Sequence, residues 1–580
     1  MSSRVTNYKG SSWRFAALAV FFILLAGAVL FRVFSLAIID HKRYAELAEK
    51  QHALLEELPS RRGRIFFQEQ NGNVRVVALD KDFYTLIFAP KTIPEVRRDE
   101  LITLAIRASG KKKEEFLKIL EKTDDPYEVA LKNLDEKQAE SIRGAKIPGV
   151  YLVAEPRRVY PAGSLGAQVL GFVSYANEKG GEGVYGIEKG FEKELAGEQG
   201  FFEGDKDAAG YWIAIGRRIV KPAVDGSDIV LTVDFNIQSF MEEEIAKLGE
   251  KWGAESAMAL VLEPATGKIM ALASYPTFDP ALYNKVKNYN VFRNPAVESS
   301  FELGSVFKPI TMAAGIEERM VTPDSTYVDK GEVRVGNATI YNFDKKGRGI
   351  VTMTEVLEKS LNTGAVHVAQ LLGQERFKKF ILLFGFGEKT GVDLPGEVRG
   401  NISHLAEGRD IDFATASFGQ GTAVTALQMA SAFGALANSG VLMKPYIVEK
   451  IIEPSGNIQE FRPEERGRAV SKETAEAVTK MLVSAVRKGT YYTAGIDGYF
   501  VAAKTGTAQV PFKDRRGYSD EVTHSMVGYA PAFHPRFVLF IQLNKPKGIQ
   551  YAATSMASPF HRIAKFILDS YEVPPDETGN

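Results

Sequence analysis

A hydroxyl and an amine stand three residues apart in the run Leu303-Gly304-Ser305-Val306-Phe307-Lys308-Pro309-Ile310-Thr311-Met312. Gly304 reads as the turn into an apolar helix, and residues three apart share a helix face, so the Ser305 oxygen and the Lys308 amine can meet. A serine hydroxyl is a poor nucleophile at neutral pH and needs a base to take its proton as it attacks a carbonyl. Lys308 can do this only when neutral, a state favoured by burial and by the positive end of the helix. The free N–H groups of a helix start can also stabilise the oxyanion that forms on the attacked carbonyl. Pro309 suits a first turn, where its missing donor costs little. The chemistry would be acyl transfer through Ser305.

Ser-x-x-Lys is a weak signal alone, and Ser109-Gly110-Lys111-Lys112 fits it too, but that copy opens a solvated run of lysines and glutamates. The partners decide. In Ser360-Leu361-Asn362, Ser360 could relay a proton between Lys308 and a leaving amine, and Asn362 could hold a substrate amide. Ser455-Gly456-Asn457 has the same spacing but follows Pro454 and reads as a turn between strands. Lys504-Thr505-Gly506-Thr507 follows the apolar strand Tyr499 to Ala503. A strand edge there can present Lys504 and the Thr505 and Thr507 hydroxyls to a carboxylate, and an N–H to an oxyanion. Gly506 would let a substrate backbone approach closely. The other copy, Lys389-Thr390-Gly391, lies in a turn-rich segment.

These side chains need a scaffold, and 580 residues predict two or more domains. The formal net charge is zero, and no basic stripe interleaved with aromatics points to nucleic acid. The absence of cysteine excludes disulfides and thiolate metal sites, and the seven histidines show no ligand spacing, so no metal is expected. A short polar tail, 1–13, precedes a segment, 14–39, that after Arg14 is about 25 apolar residues broken by the single charge of Arg32, enough to cross a bilayer of about 30 Å. No small-x-small cleavage pattern follows it, so an uncleaved anchor with the tail inside the cell is expected. Tyr44 to Glu57 has helical spacing and reads as a stalk, and Glu95 to Ile147 as a charge-rich, mainly helical lobe. The polar turn Val224 to Asp228 divides a non-catalytic module, 40–225, from a catalytic domain, 226–573, with a polar tail at 574–580. In the catalytic half, a strand (Ile229 to Val233) and a helix (Asn236 to about Leu248) lead to two strands joined at Pro264-Ala265-Thr266-Gly267. Helices to about Gly440 come next, then strands again, which predicts an α+β fold with an antiparallel sheet.

With its three motifs in this order, the sequence resembles the penicillin-binding proteins, most closely the monofunctional class B transpeptidases of the division or sporulation type. Arg61-Arg62-Gly63-Arg64-Ile65, Arg158-Val159-Tyr160-Pro161, Gly186-Ile187-Glu188-Lys189 and Phe418-Gly419-Gln420-Gly421 are similar to that family's recurring segments. Two departures stand out: Leu303 where proline is usual before Gly-Ser, and Ala503 where glycine usually precedes Lys-Thr-Gly. The resemblance implies a penicillin-binding-protein/serine β-lactamase-like domain on an elongated pedestal that cross-links peptidoglycan outside the cytoplasmic membrane. Ser305 would be acylated by a D-Ala-D-Ala stem peptide and resolved by an amine. Lys308 would be the base, Ser360 the shuttle and Asn362 the donor clamp. Lys504, Thr505 and Thr507 would hold the carboxylate, with the Ser305 and Thr507 N–H groups as oxyanion hole. β-Lactams would be inhibitors, no cofactor is implied, and the expected partners are a membrane-embedded glycan polymerase and division proteins. The alternatives are a carboxypeptidase or β-lactamase-type hydrolase and a β-lactam sensor. Glu358 resembles the deacylating glutamate of class A β-lactamases, but it overlaps the Ser-x-Asn element and reads as structural.

Overall fold

The computed structural model describes residues 12–35, 54–122, 127–176, 181–204, 218–512, 514–515 and 517–576. The chain forms two compact units, 1–60 with 198–224, and 61–197 with 225–580.

In the smaller unit, helix α1 (Ser12–Phe34) has 23 residues, and large apolar side chains such as Phe21, Ile23, Leu24 and Leu30 are exposed along it. Among the described residues no helix is long and apolar enough to cross a membrane, where an anchor over 14–39 was expected. Leu54–Leu58 is a strand where a helical stalk was expected, pairing with Gly200–Gly204, which in turn pairs with Arg218–Lys221. Cross-strand pairing with a segment distant in sequence overrides the local helical spacing. The rest of the expected stalk, the expected polar tail 1–11, and residues 577–580 lie outside the described residues.

The larger unit opens with β1 (Ile65–Gln68) and β2 (Val74–Phe88), an antiparallel pair turning at Gly72, whose φ is +82°. β2 also pairs with β3 (Glu128–Leu134) and β4 (Val150–Val159). The charge-rich lobe contains helices α2 (Glu95–Ser109), α3 (Lys113–Leu120) and α4 (Glu136–Gly144) as well as β3. Their buried faces, Leu101, Ile102, Phe116, Leu120 and Ile142, close a separate core over Leu86 and Phe88. On its other side β1 runs parallel to β5 (Asp228–Asp234), which is antiparallel to Val448–Ile452. One seven-stranded sheet therefore runs across the sequence boundary expected at 225.

The three recurring non-catalytic segments meet at one buried ion cluster. Glu188, fully buried, receives Arg62 Nε at 2.6 Å and Arg158 Nε at 2.7 Å, and Arg62 also reaches Glu192 at 2.6 Å. Burial alone would raise the Glu188 carboxyl, but Arg158 and Arg62 hold it below the ordinary glutamate value.

The catalytic region continues with α5 (Phe235–Lys251), β6 (Ser256–Leu262), β7 (Ile269–Tyr275), α6 (Lys308–Glu317), α7 (Met353–Glu358), α8 (Asn362–Leu372), α9 (Ala426–Ala437), α10 (Lys472–Lys488), β8 (Ala502–Pro511), β9 (Tyr518–Ala530), β10 (Phe537–Asn544) and α11 (Ala552–Ser570). The strands form a five-stranded antiparallel sheet in the order β7-β6-β10-β9-β8. Gly249 of α5 packs against Tyr275, while Gly434 of α9 packs against Leu262. Tyr275 pairs with Ala257, an odd strand position, and Leu262 is an even one, so the two helices cover opposite faces. This gives the expected α+β class, with β6 and β10 buried almost throughout. The stretch between α6 and α7 is not helical as expected: Thr326–Asp329 pairs with Gly349–Thr352 and Glu332–Val335 with Ala338–Tyr341. The β-branched alternation through Val333, Val335, Ile340 and Val351 accounts for it.

Candidate active site

Gly304–Phe307 forms a 3₁₀ turn that runs straight into α6 at Lys308, with Pro309 in the first turn. Gly304 has φ +64°, and a Cβ there would lie 2.8 Å from the Thr507 carbonyl oxygen, so only glycine brings this turn against β8. Ser305 is half-buried and lines a cleft of about 310 Å³, while Lys308 is 1% exposed.

The Lys308 amine donates to the Ser360 carbonyl at 2.5 Å and to Ser360 Oγ at 3.2 Å. Lys504, from β8, donates to the same Oγ at 3.0 Å and to the Thr505 carbonyl at 3.1 Å. Spacing brings Ser305 and Lys308 into one turn, yet among the described residues no hydrogen bond joins the Ser305 hydroxyl to the Lys308 amine, which is committed to Ser360. Ser360 sits between α7 and α8 with φ +52°, a left-handed conformation costing a serine about 1–3 kcal/mol. Burial pushes the Lys308 amine well below the ordinary lysine value, and the neighbouring Lys504 charge pushes it the same way. Burial pushes Lys504 down to about 7. One hydroxyl, able to accept twice and donate once, therefore bridges two amines that resist being charged together.

Asn362 opens α8 and also lines the cleft, its Nδ2 donating to the Tyr341 carbonyl at 2.9 Å. β8 is the last strand of its sheet, so among the described residues one side of its backbone has no strand of that sheet beside it. The Thr507 hydroxyl accepts the Ala552 N–H at 3.0 Å, tying β8 to the start of α11, and Thr505 is 8% exposed. Gly506, expected to admit a substrate backbone, is also required by the chain's own packing. A Cβ there would lie 2.2 Å from the Leu303 carbonyl oxygen and 2.6 Å from Ser525 Oγ, so the chain itself approaches closely. Ser525 Oγ donates to that carbonyl at 3.0 Å, which fixes the backbone at the unusual Leu303. Ala503 pairs with Gly528, where a Cβ would lie 2.4 Å from that of Ala503, so glycine across the ladder makes the room.

The competing motif copies lie elsewhere. Thr390 is buried and its N–H and hydroxyl both bond Glu397, and Ser455-Gly456-Asn457 is the turn between Val448–Ile452 and Ile458–Glu460. Glu358 accepts the Ser484 hydroxyl of α10, a structural contact. Several cleft residues escaped the sequence reading. Thr490, Phe343, Gln420 and Tyr551 line the cleft, and the fully buried Tyr491 ring lies 5.3 Å from Lys504 Nζ. Gln420 lies in a segment already singled out, but Thr490 and Tyr491 follow α10 with no local signal.

An α+β catalytic domain with a serine turn, two buried lysines and a bridging serine defines a serine acyl-transfer protein. Comparison with known proteins places it further. The penicillin-binding protein transpeptidase domain matches residues 257–568, and the penicillin-binding protein dimerisation domain matches 57–231. The chain belongs to the penicillin-binding protein transpeptidase family. It is 35% identical over 448 residues to Stage V sporulation protein D of Bacillus subtilis, covering 77% of this chain and 69% of that protein. It is 28% identical over 577 residues to the probable peptidoglycan D,D-transpeptidase PenA of Neisseria gonorrhoeae, covering 96% and 93%. Among solved structures, penicillin binding protein 3 from Mycobacterium tuberculosis, complexed with aztreonam, aligns with a TM-score of 0.69 at 28% identity, covering 90% of this chain and 98% of that one. Penicillin Binding Protein 2X from Streptococcus thermophilus shares the fold, with a TM-score of 0.80 at 24% identity, covering 90% and 81%.

Proposed function

We propose that this chain is a peptidoglycan D,D-transpeptidase. The observation that carries the reading is the Ser360 hydroxyl shared by the two buried lysines beside the Ser305 turn. Ser305 Oγ attacks the penultimate D-Ala carbonyl of a donor stem. Its proton passes to neutral Lys308 and through Ser360 to the departing D-Ala amine as the C–N bond breaks. An acceptor amine then attacks the ester, and its proton returns by the same route to Ser305. The Ser305 and Thr507 N–H groups hold the oxyanion, Lys504 with Thr505 and Thr507 hold the terminal carboxylate, and Asn362 holds the donor amide. β-Lactams acylate Ser305 as mimics of that donor.

The similarity to Stage V sporulation protein D supports the division or sporulation type expected from the motifs, acting in wall synthesis at the outer face of the cytoplasmic membrane. The exposed apolar side chains of α1, about 34 Å of helix at 1.5 Å per residue, support a single-pass anchor with its short tail inside. Residues 40–225 act as pedestal and 226–573 as catalytic domain, and the lobe 97–144 offers a docking surface for a glycan polymerase. Unchanged complex formation after deletion of that lobe would rule it out as the docking surface.

The test is product analysis. The full chain in detergent, given a D-Ala-D-Ala stem pentapeptide and an amine acceptor, should release D-Ala and form the amide-linked product. Release of D-Ala with only the hydrolysed tetrapeptide would make it a hydrolase instead.

A further inference from the structure

The stretch between α6 and α7 sends Phe343 into the cleft lining and also holds the first turn of α8. That helix starts without a cap of its own. Leu361, its N-cap residue, is fully buried in the apolar core and makes no side-chain cap. The N–H of Thr363 is instead taken by Asn342 Oδ1 at 3.2 Å, from a residue 21 positions away. Asn342 is in turn gripped by Asp329, its Nδ2 lying 3.0 and 3.1 Å from the two carboxylate oxygens. The Thr363 hydroxyl closes the ring, donating to Asp329 Oδ1 at 2.7 Å beside the Tyr327 hydroxyl at 3.0 Å.

Asp329 and Asn342 are 2% and 1% exposed. The carboxylate also receives the N–H groups of Gly331 and Arg348, each at 3.0 Å. The Arg348 guanidinium is paired with Asp344, so among the described residues Asp329 is held by N–H and O–H donors and makes no ion pair. A buried carboxylate satisfied this fully is rigid, and its charge complements the positive end of α8. Tyr341, next to Asn342, uses its carbonyl to fix the Asn362 amide. Backbone and side chain of Asn362 are thus set by one hairpin.

We infer that Asp329 and Asn342 are positioning residues that aim Asn362 at the donor amide through the first turn of α8. The inference rests on the reading of Asn362 as the donor clamp. Its test separates the two. Benzylpenicillin and 6-aminopenicillanic acid share the lactam and carboxylate, but only the first carries a side-chain amide for Asn362 to hold. The ratio of their second-order acylation rates therefore reports the clamp and is insensitive to a general loss of folded enzyme. Asn362→Ala should lower this ratio, and Asp329→Asn should lower it by about tenfold, the effect of losing a charge-assisted hydrogen bond. Combining the two should add little. Thr363→Val removes only the hydroxyl and gives the same readout should Asp329→Asn not fold, with Thr363→Ser restoring the ratio. A ratio lowered in Asn362→Ala but unchanged in Asp329→Asn and Thr363→Val overturns the inference and leaves the clamp standing. A ratio unchanged in Asn362→Ala overturns both.

Discussion

At the scale of single residues the site depends on two lysines that burial makes poor cations. Lys504 lies at about 7 in the free protein, so it is largely neutral at about pH 8. A carboxylate arriving beside it favours the charged form and must draw in a proton. Binding of a D-Ala-D-Ala stem peptide to Ser305→Ala should therefore take up close to one proton at about pH 8 and far less at about pH 6, where the amine is already charged. Calorimetry in buffers of different ionisation enthalpy reads this directly. No uptake at the higher pH would mean that Lys504 does not receive the carboxylate.

At the scale of elements, the question is how the serine turn and the edge strand β8 are held together. They meet through glycines: Gly304 under the Thr507 carbonyl and Gly506 under the Leu303 carbonyl. Gly506→Ala should force the two apart, lowering stability by about 1–3 kcal/mol in denaturant titration and slowing acylation. Unaltered stability and acylation would show that the contact yields freely. The motif spacing made Ser305, Lys308, Ser360, Asn362 and Lys504 legible in the sequence, because each sits in a short pattern with a chemical reason. The sharing of Ser360 was not legible, since it joins residues 52 and 144 positions apart. Nor was the Asp329 hub, whose members, Asp329, Asn342 and Thr363, are ordinary residues until the hairpin folds. The chain's own need for Gly506 was not legible either, because the Leu303 carbonyl and Ser525 that crowd it come from segments about 200 and 20 residues away.

At the scale of the whole molecule, three segments of the non-catalytic module converge on Glu188, and β1 continues into the catalytic half through β5. The sequence marked those segments but could not say that they meet, nor that a sheet links strands on either side of 225. Removing one member of a buried ion cluster leaves uncompensated charge, so Glu188→Gln should cost about 3–5 kcal/mol in unfolding free energy. In the native protein this stabilisation is present above the unfolded glutamate value and is lost as pH falls through the depressed folded value. A variant as stable as the native protein near neutral pH would contradict the account. For the anchor, the full chain should float with membranes in a density gradient and the chain lacking 1–39 should not. Equal flotation of the two would place the attachment elsewhere.

The most direct test of the central claim is labelling of the full chain by a fluorescent penicillin, beside Ser305→Ala, with the lifetime of the label followed afterwards. The account predicts a label that requires Ser305 and persists for many minutes, because among the described residues that line the cleft none is a carboxylate that could activate water against the ester. Labelling that survives in Ser305→Ala, or a label shed within seconds, would contradict it.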